Sequence, residues 1–188
     1  MKLLITRNIH GRKVLLYFLL ANSVFAFMLL VTIPMTMAFS DGMKLLDMMP
    51  SGYDFNYVDA LFNVLGPEGR DTYMYRQLPV DMIYPFLFGI GNCLLIAYFL
   101  NKINKLDGVL FYLCLLPLMA GLADYLENFG LLSMLHSYPH LSQGSVNLTS
   151  TFSLVKSTTT TIYFIALIMV LIAFGTQRLK RSGKATTP

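Results

Sequence analysis

Val14 to Phe39 is a run of 26 residues without one charged side chain. About 20 apolar residues cross the hydrocarbon core of a bilayer. There a lone segment can satisfy its own backbone only as a helix. Lys2, Arg7, Arg12 and Lys13 precede the run. A secretory signal also starts basic, but its apolar core is only about 7–15 residues long. The run therefore reads as a retained spanning helix, entered by Asn22 and bent by Pro34 near its far end.

Three further runs follow: Val80 to Leu100, Gly108 to Leu135 and Thr151 to Gly175. The chain is 55% hydrophobic and 13% charged, against about 25% charged in soluble domains. Its mean hydropathy is +0.59. The expected fold is an all-α, four-helix membrane bundle forming a single domain over residues 1–188, with spans near 14–39, 80–100, 108–135 and 151–175. Gly89 and Gly91 offer surfaces for close helix packing. The connection 40–79 is too long for a turn. Phe55, Val58, Leu61, Phe62 and Leu65 share one helical face within it, which predicts an amphipathic helix lying at the membrane surface and ending at Leu65-Gly66-Pro67.

Charge sets the expected orientation. Four Lys or Arg precede the first run, Lys102 and Lys105 lie in the short turn 101–107, and four more lie in the tail after Gly175. That is ten of the 14, and the positive-inside rule puts both termini in the cytoplasm. The acids are skewed the other way, only Asp107 falling on the basic side. The net charge of +4 is thus a topology signal rather than a nucleic-acid surface. An Asn147-Leu148-Thr149 sequon falls in the expected outer loop.

Within the third run, Asp124, Glu127 and Asn128 stand three and four residues apart, on one helical stripe. An ionised side chain at the bilayer centre costs about 2.5–3.5 kcal/mol on insertion scales. With four spans, Asp81 and Tyr84 at the start of span two and Lys156, two turns into span four, reach the same outer depth as this stripe. The reading is a polar pocket between spans two, three and four, closed by the region 53–78, which also brings Arg70 and Arg76. Asp124 and Glu127 would be an acid/base pair, with Asp81 a further carboxyl across the pocket. Asn128, Tyr84, Lys156, Arg76 and Arg70 would bind and orient the substrate.

Two carboxyls in a low-dielectric site are driven apart in proton affinity, which suits acid/base chemistry on an apolar molecule. Binding without chemistry is an equal expectation. A structural or accessory subunit, whose buried charges only fix helix register, is the alternative. A proton-coupled transporter fits less well, because span three carries no charge from Gly108 to Ala123 and span four none after Lys156. Expected partners are membrane lipids and a lipophilic small molecule, with a second copy or a membrane partner subunit left open. Nucleic acid is not expected. The two cysteines, Cys93 and Cys114, lie in apolar runs without a CxxC or a Cys/His cluster, so no cofactor and no metal is expected.

Overall fold

The computed structural model describes residues 2–184. The last residues of the basic tail, 185–188, lie outside them. Six helices carry the fold: α1 (Lys2–Asn8), α2 (Gly11–Met37), α3 (Phe55–Thr72), α4 (Tyr84–Lys102), α5 (Leu116–Ser137) and α6 (Gln143–Lys184). No strand is present among the described residues. Four helical stretches are long and apolar enough to cross a membrane: Gly11–Met37, Phe55–Lys102, Val109–Ser137 and Gln143–Lys180. Only 17% of the most apolar part of α2 is buried. Its outer face shows Leu15, Leu16, Leu19, Phe27 and Leu30, a surface suited to lipid rather than water.

Prolines shape three of these stretches. Pro34 and Pro79 each have no N–H to give to the carbonyl four residues earlier. In both places the helix widens into a π-turn just upstream, over Met28–Thr32 and Tyr73–Gln77. The Ile33 N–H reaches back to the Met28 carbonyl and the Leu78 N–H to that of Tyr73. The two widened turns pack against each other. Ahead of Pro117, the chain enters α5 through a 3₁₀ segment, Val109–Leu115.

Close packing depends on small residues. A Cβ on Gly121 would come within 2.7 Å of the Pro85 carbonyl oxygen, and one on Gly89 within 3.3 Å of the Pro117 carbonyl oxygen. Together these draw α4 and α5 together. Gly91 admits Tyr17 of α2, and Gly130 admits Thr149 of α6. Packing is most extensive between α5 and α6, then between α4 and each of α2 and α5. Helices α2 and α6 share no comparable packing.

The apolar stripe of α3 is where the sequence places it, with Val58, Leu61, Phe62 and Leu65 buried. Its partner is different. The stripe packs into a core with Leu131, Met134, Leu135 and Val146, so protein rather than membrane surface takes up its hydrophobic face. Asp54 caps the helix, its Oδ1 accepting from the Tyr57 N–H at 2.8 Å. At Gly66 the backbone breaks (φ 62°, ψ −178°), a conformation that glycine tolerates and that the following Pro67 favours. Beyond the break the chain stays helical to Gln77, so α3 leads almost directly into α4.

Helix α6 begins at Gln143 rather than near Thr151. Ser142 supplies the reason, since its hydroxyl accepts from the Ser145 N–H at 3.0 Å and caps the helix. The sequon therefore lies in helix rather than loop, with Thr149 buried.

Candidate functional site

The residues that meet at the site come from every long helix and from the connection. Lys156 stands 13 residues into α6, about 20 Å along it, deeper than the two turns that the sequence suggests. Its Nζ donates to Asp124 Oδ1 of α5 at 3.1 Å and pairs with Glu127 Oε2 one turn further on. Glu127 and Asn128 are fully buried. Glu127 Oε1 and the Asn128 amide oxygen have no hydrogen-bond partner. Asp81, in the short helical turn Leu78–Asp81 before α4, is 3% exposed. Its carboxyl accepts from the Asn128 side chain, and among the described residues no ion pair engages it.

A cavity of about 450 Å³ opens beside these groups. Asp81, Asp124, Lys156 and Tyr84 line it, joined by Asp47, while Phe25, Met28, Leu29, Ile33 and Phe88 give it apolar walls. Tyr84 stacks on Phe25 with ring centroids 5.4 Å apart. The cavity thus differs from the sequence expectation in two respects. Helix α2 forms a full wall, because its π-turn brings Met28 and Leu29 inward. The cover is the strap 47–50, through Asp47, Met48 and Pro50, rather than the region 53–78.

Asp47 is the site residue that the sequence reading misses. Its Oδ1 accepts from the Tyr73 hydroxyl at 2.9 Å, and its Oδ2 from Gln77 Nε2 at 2.5 Å. The second π-turn thereby holds the strap. Ser150 and Ser153 of α6 hold it from the other side: the Tyr53 N–H donates to Ser150 Oγ at 2.9 Å, and Ser153 Oγ donates to the Met49 carbonyl at 3.1 Å. Burial holds the Asp47 carboxyl above the usual carboxylate range, against the opposing pull of Lys156 and of the Tyr73 and Gln77 hydrogen bonds. Burial, then the charge of Glu127, raises the Tyr53 phenol. The signal was present in the sequence. Asp47 is one acid set among Leu45, Leu46, Met48, Met49 and Pro50, an apolar setting unusual for a solvated loop.

The two arginines do not reach the cavity. Arg70 donates from Nη1 to the Phe62 carbonyl at 2.6 Å, and its guanidinium lies 4.5 Å from the Tyr138 ring centroid. It braces the broken end of α3 against the α5–α6 loop. Arg76 is exposed. Both sit in the connecting region as expected, but their helix faces turn them outward. Glu127 and Asn128 do not line the cavity either, lying behind Asp124 and Asp81 in the α5–α6 interface. No three His, Cys, Asp or Glu side chains group as a metal-binding set among the described residues.

On the side of the cavity nearer the α4–α5 turn, the bundle closes over an apolar core including Phe88, Leu94, Ile96, Ala97, Leu100 and Ala120. Within it Tyr163 donates to Asn92 Oδ1 at 2.8 Å. Fold and site together define an all-helical membrane protein with buried charge in its interior. In comparisons with family models, curated proteins and solved structures, nothing matches this chain.

Proposed function

We propose that this protein binds a lipophilic molecule that reaches the cavity sideways from the bilayer, between α2 and α6. One observation carries this reading. Both helices line the cavity, yet they do not pack along each other. The gap between them leads from apolar residues of α2, Phe25 and Leu29, past Ser157, Thr160 and Thr161 of α6, to the carboxyl groups. The shape suits an apolar body with one polar group. A volume of about 450 Å³ falls within the usual range of small-molecule sites, roughly 300–1,000 Å³.

Within this reading the roles differ from a simple acid/base pair. Lys156 already engages Asp124 and Glu127, so those two carboxyls hold α5 to α6 and set the charge of the wall. Asp81 is the cavity-lining carboxyl that Lys156 does not engage, and so the one left to receive a ligand. Chemistry on the bound molecule would centre on Asp81 with Asn128 beside it. The apolar core toward the α4–α5 turn supports binding over conduction, which needs polar groups through the whole depth.

A structural role is the second reading, and the position of Glu127 favours it. That residue is fully buried, away from the cavity, in the ion cluster that ties two helices. The two readings part on Thr160→Trp, which narrows the cavity without removing a charged residue. Native mass spectrometry of protein purified from its own membranes should find a small apolar molecule on wild type and none on Thr160→Trp. Wild-type protein that carries nothing, or a variant that carries the same molecule, would overturn the binding reading.

A further inference from the structure

Resting on the binding reading above, we infer that the molecule accepted by the cavity carries a cationic nitrogen, which Asp81 receives. The class is a lipophilic amine or quaternary ammonium with an apolar body.

The inference follows from which groups on the wall are already engaged. Three carboxyls and one ammonium line the cavity. The Lys156 ammonium is turned into the wall by Asp124 and Glu127. Asp47 has a donor on each oxygen, from Tyr73 and Gln77. Asp81 alone among the three has no cation and no donor but the neighbouring Asn128 side chain among the described residues, although it is 97% removed from solvent and lines the cavity. The amide oxygen of Asn128 beside it is unbonded. A buried carboxyl without an opposite charge is costly, and a cation is what offsets the cost.

The sign of the ligand follows from the surrounding charges. Asp47, Asp81, Asp124 and Glu127 make four acids around a single base, and no Arg joins them. An anionic headgroup would meet carboxyls in excess and find the one ammonium occupied. A neutral hydroxyl could bond to Asp81 but would bring it no opposite charge. A protonated nitrogen both donates to Asp81 and balances it. Phe25, Tyr84 and Phe88 stand in the same cavity, the first two stacked and the last two with centroids 5.6 Å apart. Aromatic faces attract cations and tolerate apolar bodies equally well. A metal ion is a poorer match, because the carboxyls do not converge as ligands around one point.

The test uses the full chain in phosphatidylcholine nanodiscs, with empty nanodiscs as blank. Three radiolabelled probes share one tail: N,N-dimethyldodecylamine, dodecanol and dodecanoate. The expected result is saturable binding of the amine at least tenfold tighter than the alcohol, with the carboxylate weakest. Asp81→Asn should cut amine affinity about tenfold and leave the alcohol unchanged, while Asp81→Glu, which keeps the charge, should retain the preference. Equal binding of amine and alcohol by wild type overturns the inference while leaving the lipophilic-ligand reading intact. So does an Asp81→Asn protein that folds and binds the amine unchanged. If Asp81→Asn does not fold, the wild-type preference decides alone. Absence of saturable binding for all three probes overturns both readings together.

Discussion

Lys156 is the residue on which the buried charges depend. Asp124 and Glu127 both lean on its ammonium, 18% exposed at the side chain, while Glu127 itself is wholly buried. Removing the ammonium leaves two carboxyls facing each other in an apolar interface. Breaking a buried pair from one side typically costs about 3–5 kcal/mol, whereas replacing all its members with neutral groups is far milder. Lys156→Met is therefore expected to lower unfolding stability in mixed micelles by about 3–5 kcal/mol. Adding Asp124→Asn and Glu127→Gln to it should restore most of that loss. A single variant that loses less than about 1 kcal/mol would show that the charges were not isolated from solvent.

Helices here are fitted by what is missing from them. Pro34 and Pro79 remove a backbone donor each, and the widened turns upstream shape the cavity wall and grip the strap. π-turns of this kind are frequent at functional sites, and here both serve one cavity. Gly121 removes a side chain, and the α4–α5 crossing closes on the space. Gly121→Ala places a Cβ 2.7 Å from the Pro85 carbonyl oxygen, backbone that cannot swing aside. It should destabilise by about 1–3 kcal/mol. Gly175→Ala, where no atom lies within 4 Å, should be neutral or stabilising by up to about 1 kcal/mol. Thermal unfolding of the two variants side by side checks the pair. Equal effects would mean that the crossing is looser than these distances indicate.

For the described residues, four long helices joined by the 38–54 connection, the turn 103–108 and the loop 138–142 put the start of α1 and the end of α6 at the same end of the bundle as Asp107, which pairs with Lys2 at 2.8 Å. The Lys and Arg count assigns that end to the cytoplasm as an expectation. Lys105→Cys and Ser142→Cys, both exposed sites, should react with an impermeant thiol reagent from opposite faces of sealed vesicles, Ser142→Cys from the face away from the cytoplasm. The native Cys93 and Cys114 are buried, so their background should be small. Labelling of both positions from one face would remove the four-span reading.

The sequence by itself determined the class of fold. Long uncharged runs can satisfy their backbones in lipid only as helices, and the stripe of α3 and the trio Asp124, Glu127 and Asn128 announced buried faces by their spacing alone. Sequence spacing reports which face a residue shares, not what meets that face. Hence Lys156 and Asp124 were legible as costly residues, but their pairing came only from the α5–α6 contact. Arg70 and Arg76 have the right charge and the right segment, and only the turn of their helix took them away from the cavity. Ser142 shifted the start of α6, a boundary that a loop-like composition concealed. Asp47 belongs to the site because one π-turn, Tyr73–Gln77, and two serines, distant in sequence, hold the strap over the cavity. Local chemistry specified the helices, and long-range packing decided which acids face the cavity and which lie behind its wall.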